Sequence, residues 1–236
     1  MANVWSVVVA GGSGLRFGQP KQFTEVAGRP VLHLAVEACR PVSAGVVLVV
    51  PPELSESDRR IVESSGADRV VPGGSTRARS VRCGLAAVPP EADVILVHDA
   101  ARPLATRALF DAVLAAVTGG DVAGAVPGLR IHDTIKEVEA GEPEHDAARR
   151  VTATLDRSRV VAVQTPQAFR AAALRSAHDR PGADEATDDA SLVEAMGGTV
   201  VVVPGEQGNL KITSPEDLGT AERLLAARRA GGAGEG

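Results

Sequence analysis

A glycine-rich segment near the N-terminus carries two cations just after an apolar run. It reads VVVAGGSGLRFGQPKQF over residues 7–23 and places Arg16 and Lys21 beyond the exit of a predicted strand. Glycines let backbone N–H groups approach an anion closely, and arginine or lysine adds charge. The segment therefore predicts a phosphate site whose length through Pro20 lets both cations fold over a triphosphate. The ordinary alternative is a glycine-rich strand exit with solvated basic side chains.

Two well-known phosphate loops do not fit this segment. A Walker loop requires G-x-x-x-x-G-K-[ST], but Gln19 follows Gly18. A dinucleotide fingerprint that begins at Gly12 and Gly14 requires a third glycine where Phe17 stands. The spacing thus disfavours both classes of nucleotide-binding protein.

Lysine and one aspartate supply further candidates. Lysine occurs only at positions 21, 136 and 211, and the other 22 basic residues are arginine, so each lysine marks a place where a compact ammonium could be required. Asp99 ends the apolar run VILVHD, at the predicted carboxyl edge of a parallel sheet, where ligands bind in such folds. A carboxylate there suits Mg²⁺, although Asp99 could also simply cap the next helix.

The composition excludes several kinds of partner. A net charge of −5 and an aromatic content of 2% argue against binding of nucleic acid or of an anionic membrane. Cys39 and Cys83 have no metal-ligand spacing and indicate buried free thiols in a reducing compartment. The sequence begins without a basic leader, and no apolar run reaches the roughly 20 residues that span a bilayer. We therefore expect a cytoplasmic protein.

Short apolar runs alternate with longer amphipathic segments through the first half of the chain. The predicted strands are 4–10, 46–50, 69–71, 94–97 and 122–126. The predicted helices are 31–40, 53–65, 76–88 and 104–117. This alternation predicts an α/β fold with a Rossmann-like, mostly parallel sheet flanked by helices.

The second half is less regular. Residues 131–157 alternate, turn through a polar excursion and return, which predicts a protruding β-arm. Because exposed strand edges invite pairing with another chain, we expect a homodimer through the arm. The remaining predicted elements are an extended run at 160–164, helices near 168–178 and 186–196, a strand at 199–203 and a helix at 215–229. We expect one domain over 1–229 and a disordered tail over 230–236.

Several ordered motifs resemble one family of enzymes. AGGSGLRFGQPKQF is similar to the signature of sugar-phosphate nucleotidyltransferases, and LVHDAARP at 96–103 to that of cytidylyltransferases. The match is strongest to the family that acts on 2-C-methyl-D-erythritol 4-phosphate. Further matching motifs are GGSTRARS at 73–80, DTIK at 133–136, VQTPQAF at 163–169, TDDASLVE at 187–194 and NLKIT at 209–213.

The resemblance implies transfer of CMP from CTP to a sugar or polyol phosphate, with pyrophosphate as leaving group and Mg²⁺ as cofactor. It implies that Arg16, Lys21 and Lys211 act on the phosphates during catalysis. The acceptor would contact Arg102, Thr134 and Arg157, the last entering from the dimer partner as a further catalytic cation.

The same resemblance implies how the nucleotide is held. The implied nucleotide-binding residues, beyond the cations and Asp99, are Ala10, Gly11, Gly12, Gly14, Gly74, Ser75, Ser80 and Ala100. Position 75 is commonly acidic in the family and is serine here, which favours recognition of the base by the backbone.

Alternatives stay open at this point. The acceptor could be ribitol 5-phosphate, or the chain could be a nucleotide-binding module without catalysis. His98 need not be a general base, because a phosphate nucleophile requires none, and a structural histidine is favoured. Asp188 and Asp189 could be a catalytic pair, but Thr187 followed by acids is also an ordinary helix start, and we favour the cap.

Overall fold

An eight-stranded sheet forms the centre of the protein in a computed structural model that describes residues 2–12, 20–140 and 148–232. Gly14 and Arg16 lie outside these ranges, so their predicted roles stay predictions. The strands are β1 (Val4–Val9), β2 (Glu25–Val26), β3 (Arg29–Pro30), β4 (Gly45–Val50), β5 (Arg69–Pro72), β6 (Val94–Asp99), β7 (Gly124–Arg130), β8 (Lys136–Val138), β9 (Val151–Thr154), β10 (Val161–Val163), β11 (Gln167–Arg170) and β12 (Val200–Pro204).

The α-helices connect these strands. They are α1 (Val31–Cys39), α2 (Glu56–Glu63), α3 (Arg77–Ala87), α4 (Arg107–Gly119), α5 (Ala171–His178), α6 (Asp189–Glu194) and α7 (Glu216–Gly232). α7 runs past the predicted end at 229, so residues 230–232 are helical rather than part of a disordered tail, and 233–236 lie outside the described residues. No helix in the described ranges has the length and apolar character that crossing a membrane requires.

The central sheet has the order β10-β7-β11-β6-β1-β4-β5, with β12 also paired to β7. β1 pairs in parallel with both β4 and β6, and β4 pairs in parallel with β5. Because β1, β4 and β6 consist mainly of valine, leucine and isoleucine, both of their faces can be buried, whereas β5 at the sheet edge is largely exposed. The predicted mostly parallel α/β sheet is confirmed.

Alternate residues of each central strand pack into different cores. In β1, Val8 belongs to a core with α1 and α4, whereas Val7 belongs to a core with α3, α5 and α6. In β6, Leu96 and Ile95 divide in the same way. The helices therefore cover both faces of the sheet, and its carboxyl edge is left for a ligand.

One central strand was not predicted. Gln167–Arg170 forms β11, which pairs antiparallel with β6 and with β7, although the sequence predicted a helix from about 168. β11 leads directly into the alanine-rich α5, so the sequence pattern assigned the whole stretch to one helix. Packing between two buried strands determines its conformation instead.

A separate two-stranded sheet lies within the predicted arm. β8 and β9 pair antiparallel, with Lys136 opposite Thr154. The first limb of the predicted arm forms only the short strand β8, and residues 131–135 connect it to the end of β7. Residues 141–147, between the two strands, lie outside the described residues. Dimerisation through this arm stays a prediction.

The two cysteines are free. Cys39 is buried in α1, where burial raises the pKa of its thiol to about 12. Cys83 lies half-buried in α3. Both thiols are free, as predicted, but only Cys39 is fully buried.

Candidate active site

The carboxyl ends of β1, β5 and β6 meet at one edge of the sheet. Ala10 follows β1 and donates its backbone N–H to the Val49 carbonyl at 2.7 Å. Ala100 follows β6 and donates to the Val9 carbonyl at 3.0 Å. These two bonds extend the hydrogen bonding between neighbouring strands by one residue beyond β1 and β6, and they fix where the backbone leaves the sheet.

Close packing explains the glycines at this edge. A Cβ on Gly11 would lie 3.2 Å from Ser80 Oγ, and one on Gly73 would lie 2.8 Å from the same atom. Ser80 Oγ accepts the Gly74 N–H at 3.2 Å and donates to the Thr76 carbonyl at 2.9 Å. The hydroxyl therefore fixes the turn that brings Gly73 close to Gly11. Whether Ser80 also contacts a base stays a prediction.

Ser75 lies on the exposed part of this turn. Its Oγ accepts a hydrogen bond from Arg79 Nη1 at 3.2 Å. Thr76 caps α3, because its hydroxyl accepts the Arg79 N–H at 3.1 Å. The local sequence thus produces a short turn that leads directly into a helix, with Ser75 and Gly74 at its start.

Gln22 supports the glycine-rich segment from behind, and the sequence analysis missed it. This buried side chain donates from Nε2 to the Gly12 carbonyl at 3.0 Å. Lys21 lies beside it in a short 3-10 turn, Lys21–Phe23. Gln22 therefore holds together the two ends of the segment that surround residues 13–19.

Asp99 lies between two cations. Lys211 Nζ is 2.8 Å from its Oδ2, and Arg77 Nε is 3.3 Å from its Oδ1. Burial alone would raise the pKa of this carboxyl, but the charges of Arg77 and Lys211 outweigh burial and hold the pKa well below its usual range. The structure thus brings together Asp99 and Lys211, which lie 112 positions apart.

Arg77 joins the site to a second buried carboxylate. Its Nη1 is 2.7 Å from Asp189 Oδ2, and Asp189 Oδ1 is 2.9 Å from His178 Nε2. Burial would lower the pKa of Arg77, but the two carboxylates outweigh burial and raise the pKa above its usual value. Sequence reasoning missed Arg77, although it lies within the motif GGSTRARS and begins α3.

The helix start predicted within TDDASLVE is confirmed, but its capping residue is Asp188 rather than Thr187. Asp188 caps α6, since its Oδ1 accepts the Ser191 N–H at 3.0 Å. Asp189 lies in the first turn of α6, as predicted, but its side chain is buried within the ion pairs just described. Two adjacent residues at a helix start point in different directions, and only tertiary packing distinguishes them.

His98 is a structural histidine, as expected. Its Nε2–H donates to the Arg102 carbonyl at 3.1 Å, and its Nδ1 accepts from the Thr165 hydroxyl at 3.0 Å. The Asp99 N–H donates to the same Thr165 oxygen at 3.0 Å. Burial lowers the pKa of His98 to about 4. The imidazole of His98 is therefore neutral, and both of its ring nitrogens are engaged in hydrogen bonds.

The predicted acceptor residues lie in two places. Arg102 Nη1 donates to the Asn209 carbonyl at 2.9 Å, next to Lys211. Arg157 begins a short 3-10 turn after β9 and donates to the His132 carbonyl. Thr134 lies on the other limb, just ahead of β8. Arg102 is thus part of the sheet edge, whereas the contacts of Arg157 are made within the arm.

A glycine-lined turn and an aspartate between two cations, at the carboxyl edge of a mostly parallel sheet, are typical of α/β nucleotidyltransferases. The sequence matches the family described as "IspD: 2-C-methyl-D-erythritol 4-phosphate cytidylyltransferase" over residues 4–227. The chain belongs to this family.

Individual relatives agree with this assignment. The 2-C-methyl-D-erythritol 4-phosphate cytidylyltransferase of Streptomyces coelicolor is 45% identical over 97% of this chain and 87% of its own. That of Rubrobacter xylanophilus is 44% identical over 97% of both chains. Among solved structures, the Thermus thermophilus enzyme of the same description superposes with a TM-score of 0.73 at 36% identity, covering 93% of this chain and 98% of that one. The 4-diphosphocytidyl-2C-methyl-D-erythritol synthase of Anaerococcus prevotii gives 0.79 at 30% identity, covering 95% and 99%.

Proposed function

We propose that this protein transfers CMP from CTP to 2-C-methyl-D-erythritol 4-phosphate, a step of isoprenoid precursor biosynthesis. The products are 4-diphosphocytidyl-2-C-methyl-D-erythritol and pyrophosphate. The observation that carries the proposal is the family match over residues 4–227, joined to the Asp99 and Lys211 pair at the sheet edge.

The chemistry needs no protein nucleophile. A phosphate oxygen of the acceptor attacks the α-phosphorus of CTP, and the bond from that phosphorus to the bridging oxygen of the pyrophosphate breaks. The attacking phosphate is already ionised, so no general base is required, which agrees with the neutral and fully bonded His98. Alignment of the two phosphates and neutralisation of the leaving group are what the protein must supply.

Cations from two sides supply that neutralisation. Lys21 and Arg16 belong to the glycine-rich segment, and Lys211 approaches from beside Asp99. A positive charge placed where pyrophosphate charge develops stabilises the transition state more than the ground state. Backbone N–H groups of the glycine-rich segment complete the cradle around the triphosphate.

The turn after β5 is assigned to the cytosine base. Gly74 and Ser75 start this turn, and Ser80 fixes its shape from within. Because Ser80 already uses its hydroxyl inside the turn, backbone groups are left to read the base. This assignment rests on the family membership and on the turn geometry together.

Asp99 is the residue that would hold Mg²⁺. Within the described residues no group of three or more histidine, cysteine or acidic side chains could hold a metal. A single carboxylate nevertheless fits Mg²⁺, which is usually bound by one or two carboxylates together with substrate phosphates. Asp99 is ionised and lies at the sheet edge, so its donor chemistry matches. When bound, the ion would neutralise phosphate charge.

The acceptor side is proposed to be completed by a second copy of this chain. The arm and the neighbouring edge strand expose apolar side chains, namely Val151, Leu155, Val161 and Val163. Burial of these side chains against a partner would stabilise a dimer. Arg157 of each arm would then reach the acceptor phosphate in the other protomer, where Arg102 and Thr134 also contact the acceptor. With two free cysteines, a reducing, cytoplasmic location is proposed.

Pyrophosphate release tests the reaction. The protein is incubated with CTP, Mg²⁺ and either 2-C-methyl-D-erythritol 4-phosphate or ribitol 5-phosphate, and a reaction without acceptor is the control. We expect turnover that requires an acceptor and is faster with the methylerythritol phosphate. Faster turnover of ribitol 5-phosphate would transfer the assignment to the alternative acceptor. Binding of CTP with no turnover on either acceptor would identify a non-catalytic nucleotide-binding module.

A further inference from the structure

We propose that Arg77 and Asp189 act as positioning residues that hold the Asp99 carboxylate in place, with His178 supporting them from behind. This inference rests on the proposed function, because Asp99 matters to the reaction only if the sheet edge binds CTP. The proposal adds residues outside the glycine-rich segment and outside the base-binding turn.

Four side chains form a continuous chain of contacts that ends at Asp99. His178 Nε2 lies 2.9 Å from Asp189 Oδ1, Asp189 Oδ2 lies 2.7 Å from Arg77 Nη1, and Arg77 Nε lies 3.3 Å from Asp99 Oδ1. The side chains of His178 and Asp189 are each 1% exposed. The chain therefore runs from the interior between α5 and α6 to the candidate active site.

The shape of Arg77 suits this task. One guanidinium bridges two carboxylates with separate nitrogens, which a planar fork can do and a point charge cannot. Arg77 is the first residue of α3 and Asp189 the first of α6, while Asp99 ends β6. The guanidinium thus fixes three elements relative to one another at the site.

The free-energy cost of burying the ion pairs of Arg77 points to a role beyond stability. Removing two charges from water is costly, and well-packed apolar side chains can often replace a buried ion pair without loss of stability. An ion pair kept beside an active site is therefore explained better by placement of a group than by the stability it adds. That group is Asp99, the member of the chain that faces the sheet edge.

Arg77 also differs from Lys211, the other cation on Asp99. Lys211 is 42% exposed and is proposed to contact the phosphates of CTP, which draws its ammonium away from Asp99. Arg77 is held by Asp189 and stays on Asp99 Oδ1. The Asp99 carboxylate then keeps its orientation while Lys211 acts on the nucleotide.

A double-mutant cycle on Arg77→Lys and Asp189→Asn tests this inference. Both substitutions are conservative, since the first keeps the charge and the second keeps the shape. We expect each to lower kcat by on the order of 10- to 100-fold, because small misplacements of reacting groups are costly. The dissociation constant of CTP, measured by calorimetry without acceptor, should change far less. The double variant should be no slower than the slower single variant, since both act through the same contact.

Arg82→Gln is the matched control. Arg82 lies on the same helix, pairs with Asp184 at 2.8 Å and donates to the His178 carbonyl at 3.0 Å, but it does not contact Asp99. The kcat of the Arg82→Gln variant should stay at the wild-type value. If the losses of kcat multiply in the double variant, the inference is overturned. It is also overturned if Arg82→Gln loses as much kcat as Arg77→Lys or Asp189→Asn. A lower melting temperature with an unchanged kcat in either of these single variants would likewise overturn it.

Amide chemical shifts in the ligand-free protein separate this inference from the proposed function. We expect the amide resonances of Asp99 and Ala100 to move in Asp189→Asn and to stay in place in Arg82→Gln. If these amides move while the wild type releases no pyrophosphate, the proposed function fails and the placement of Asp99 stands. If the wild type is active and neither the amides nor kcat change, the placement role is overturned.

Discussion

At the scale of single residues, hydrogen bonds decide which titratable groups can exchange protons. His98 is buried with its Nε2–H on the Arg102 carbonyl and its Nδ1 on the Thr165 hydroxyl. A proton on Nδ1 would break the bond from Thr165 and place a charge in the core. Burial accordingly lowers the pKa of His98 to about 4. His98 is therefore a structural group whose effect should appear in stability rather than in the rate profile.

We expect His98 to make the folded state less stable as the pH falls from about 6.5 towards 4. An unfolded histidine binds a proton below about pH 6.5, whereas folded His98 does not, so the unfolded state gains protons. The free energy of unfolding should fall by up to about 1.4 kcal/mol per pH unit from this group. Urea unfolding at pH 7 and pH 5 measures the slope, which should be smaller in His98→Asn.

His132→Asn provides the control for this experiment. His132 is an exposed histidine on the arm, and its substitution should leave the pH slope at the wild-type value. If the free energy of unfolding changes with pH equally in the wild type and in His98→Asn, His98 is not the group that causes the change. The pKa values of Asp99 and Asp189 are lowered, so these groups reduce the free energy of unfolding only as the pH falls towards the ordinary aspartate pKa. Their contribution therefore appears at a lower pH than that of His98.

Individual site residues could be predicted from the sequence, but the contacts between them could not. Asp99 and Lys211 were both identified, the first by its place after an apolar run and the second by the scarcity of lysine and the family motif. Their 2.8 Å contact spans 112 positions and depends on the completed sheet. Arg77 was missed, and Asp189 was interpreted as part of a helix start, because the contacts of both side chains are made with residues distant in the sequence.

At the scale of elements, α3 must lie close to the central strands for Arg77 to reach Asp99. Gly84, on the inner face of α3, makes this approach feasible. A Cβ there would lie 2.4 Å from Val7 Cγ1 and 2.9 Å from Val49 Cγ2. Both valines are fully buried and have restricted rotamers, so they cannot move aside.

Gly84→Ala should therefore push α3 outwards and destabilise the protein by about 1–3 kcal/mol. Because Arg77 starts the same helix, kcat should fall as well. Gly119→Ala in α4 is the matched control, since no atom lies within 4 Å of its Cβ position. Thermal unfolding and steady-state rates check both variants. If Gly84→Ala is as stable and active as the wild type, the close approach of α3 is not needed.

The apolar central strands were predictable from the sequence, and so was the short strand β5, whereas the equally short strand β11 was not. β1, β4 and β6 consist mainly of valine, leucine and isoleucine, and each was placed within about two residues. β11 was missed because it is only four residues long and leads directly into α5. A short antiparallel strand obtains its conformation from the buried neighbours on both sides, which a local pattern does not contain.

At the scale of the whole molecule, one chain brings together most of the proposed site but not all of it. Asp99, Lys211 and Arg102 meet at the sheet edge, whereas Arg157 makes its contact within the arm. Apolar side chains are exposed on the same arm and on β10. If a second copy covers these side chains, its Arg157 would complete the acceptor site.

Mixing two inactive variants tests this arrangement. Lys21→Ala and Arg157→Ala should each lose most of kcat, because each removes a cation that neutralises phosphate charge. In a heterodimer of the two, one site lacks both cations, and the other combines native Lys21 with native Arg157 of the partner. Random exchange of equal amounts should therefore restore about a quarter of the wild-type activity.

The restored activity should appear only under conditions that let subunits exchange. Val161→Glu, introduced into both variants, supplies the control, since a charge on the exposed edge strand β10 should prevent the dimer and abolish the recovery. Sedimentation velocity would report the oligomeric state of each mixture. If the mixture stays inactive while heterodimers are present, Arg157 acts within its own chain, and the arm must then fold back towards the site of the protomer that carries it.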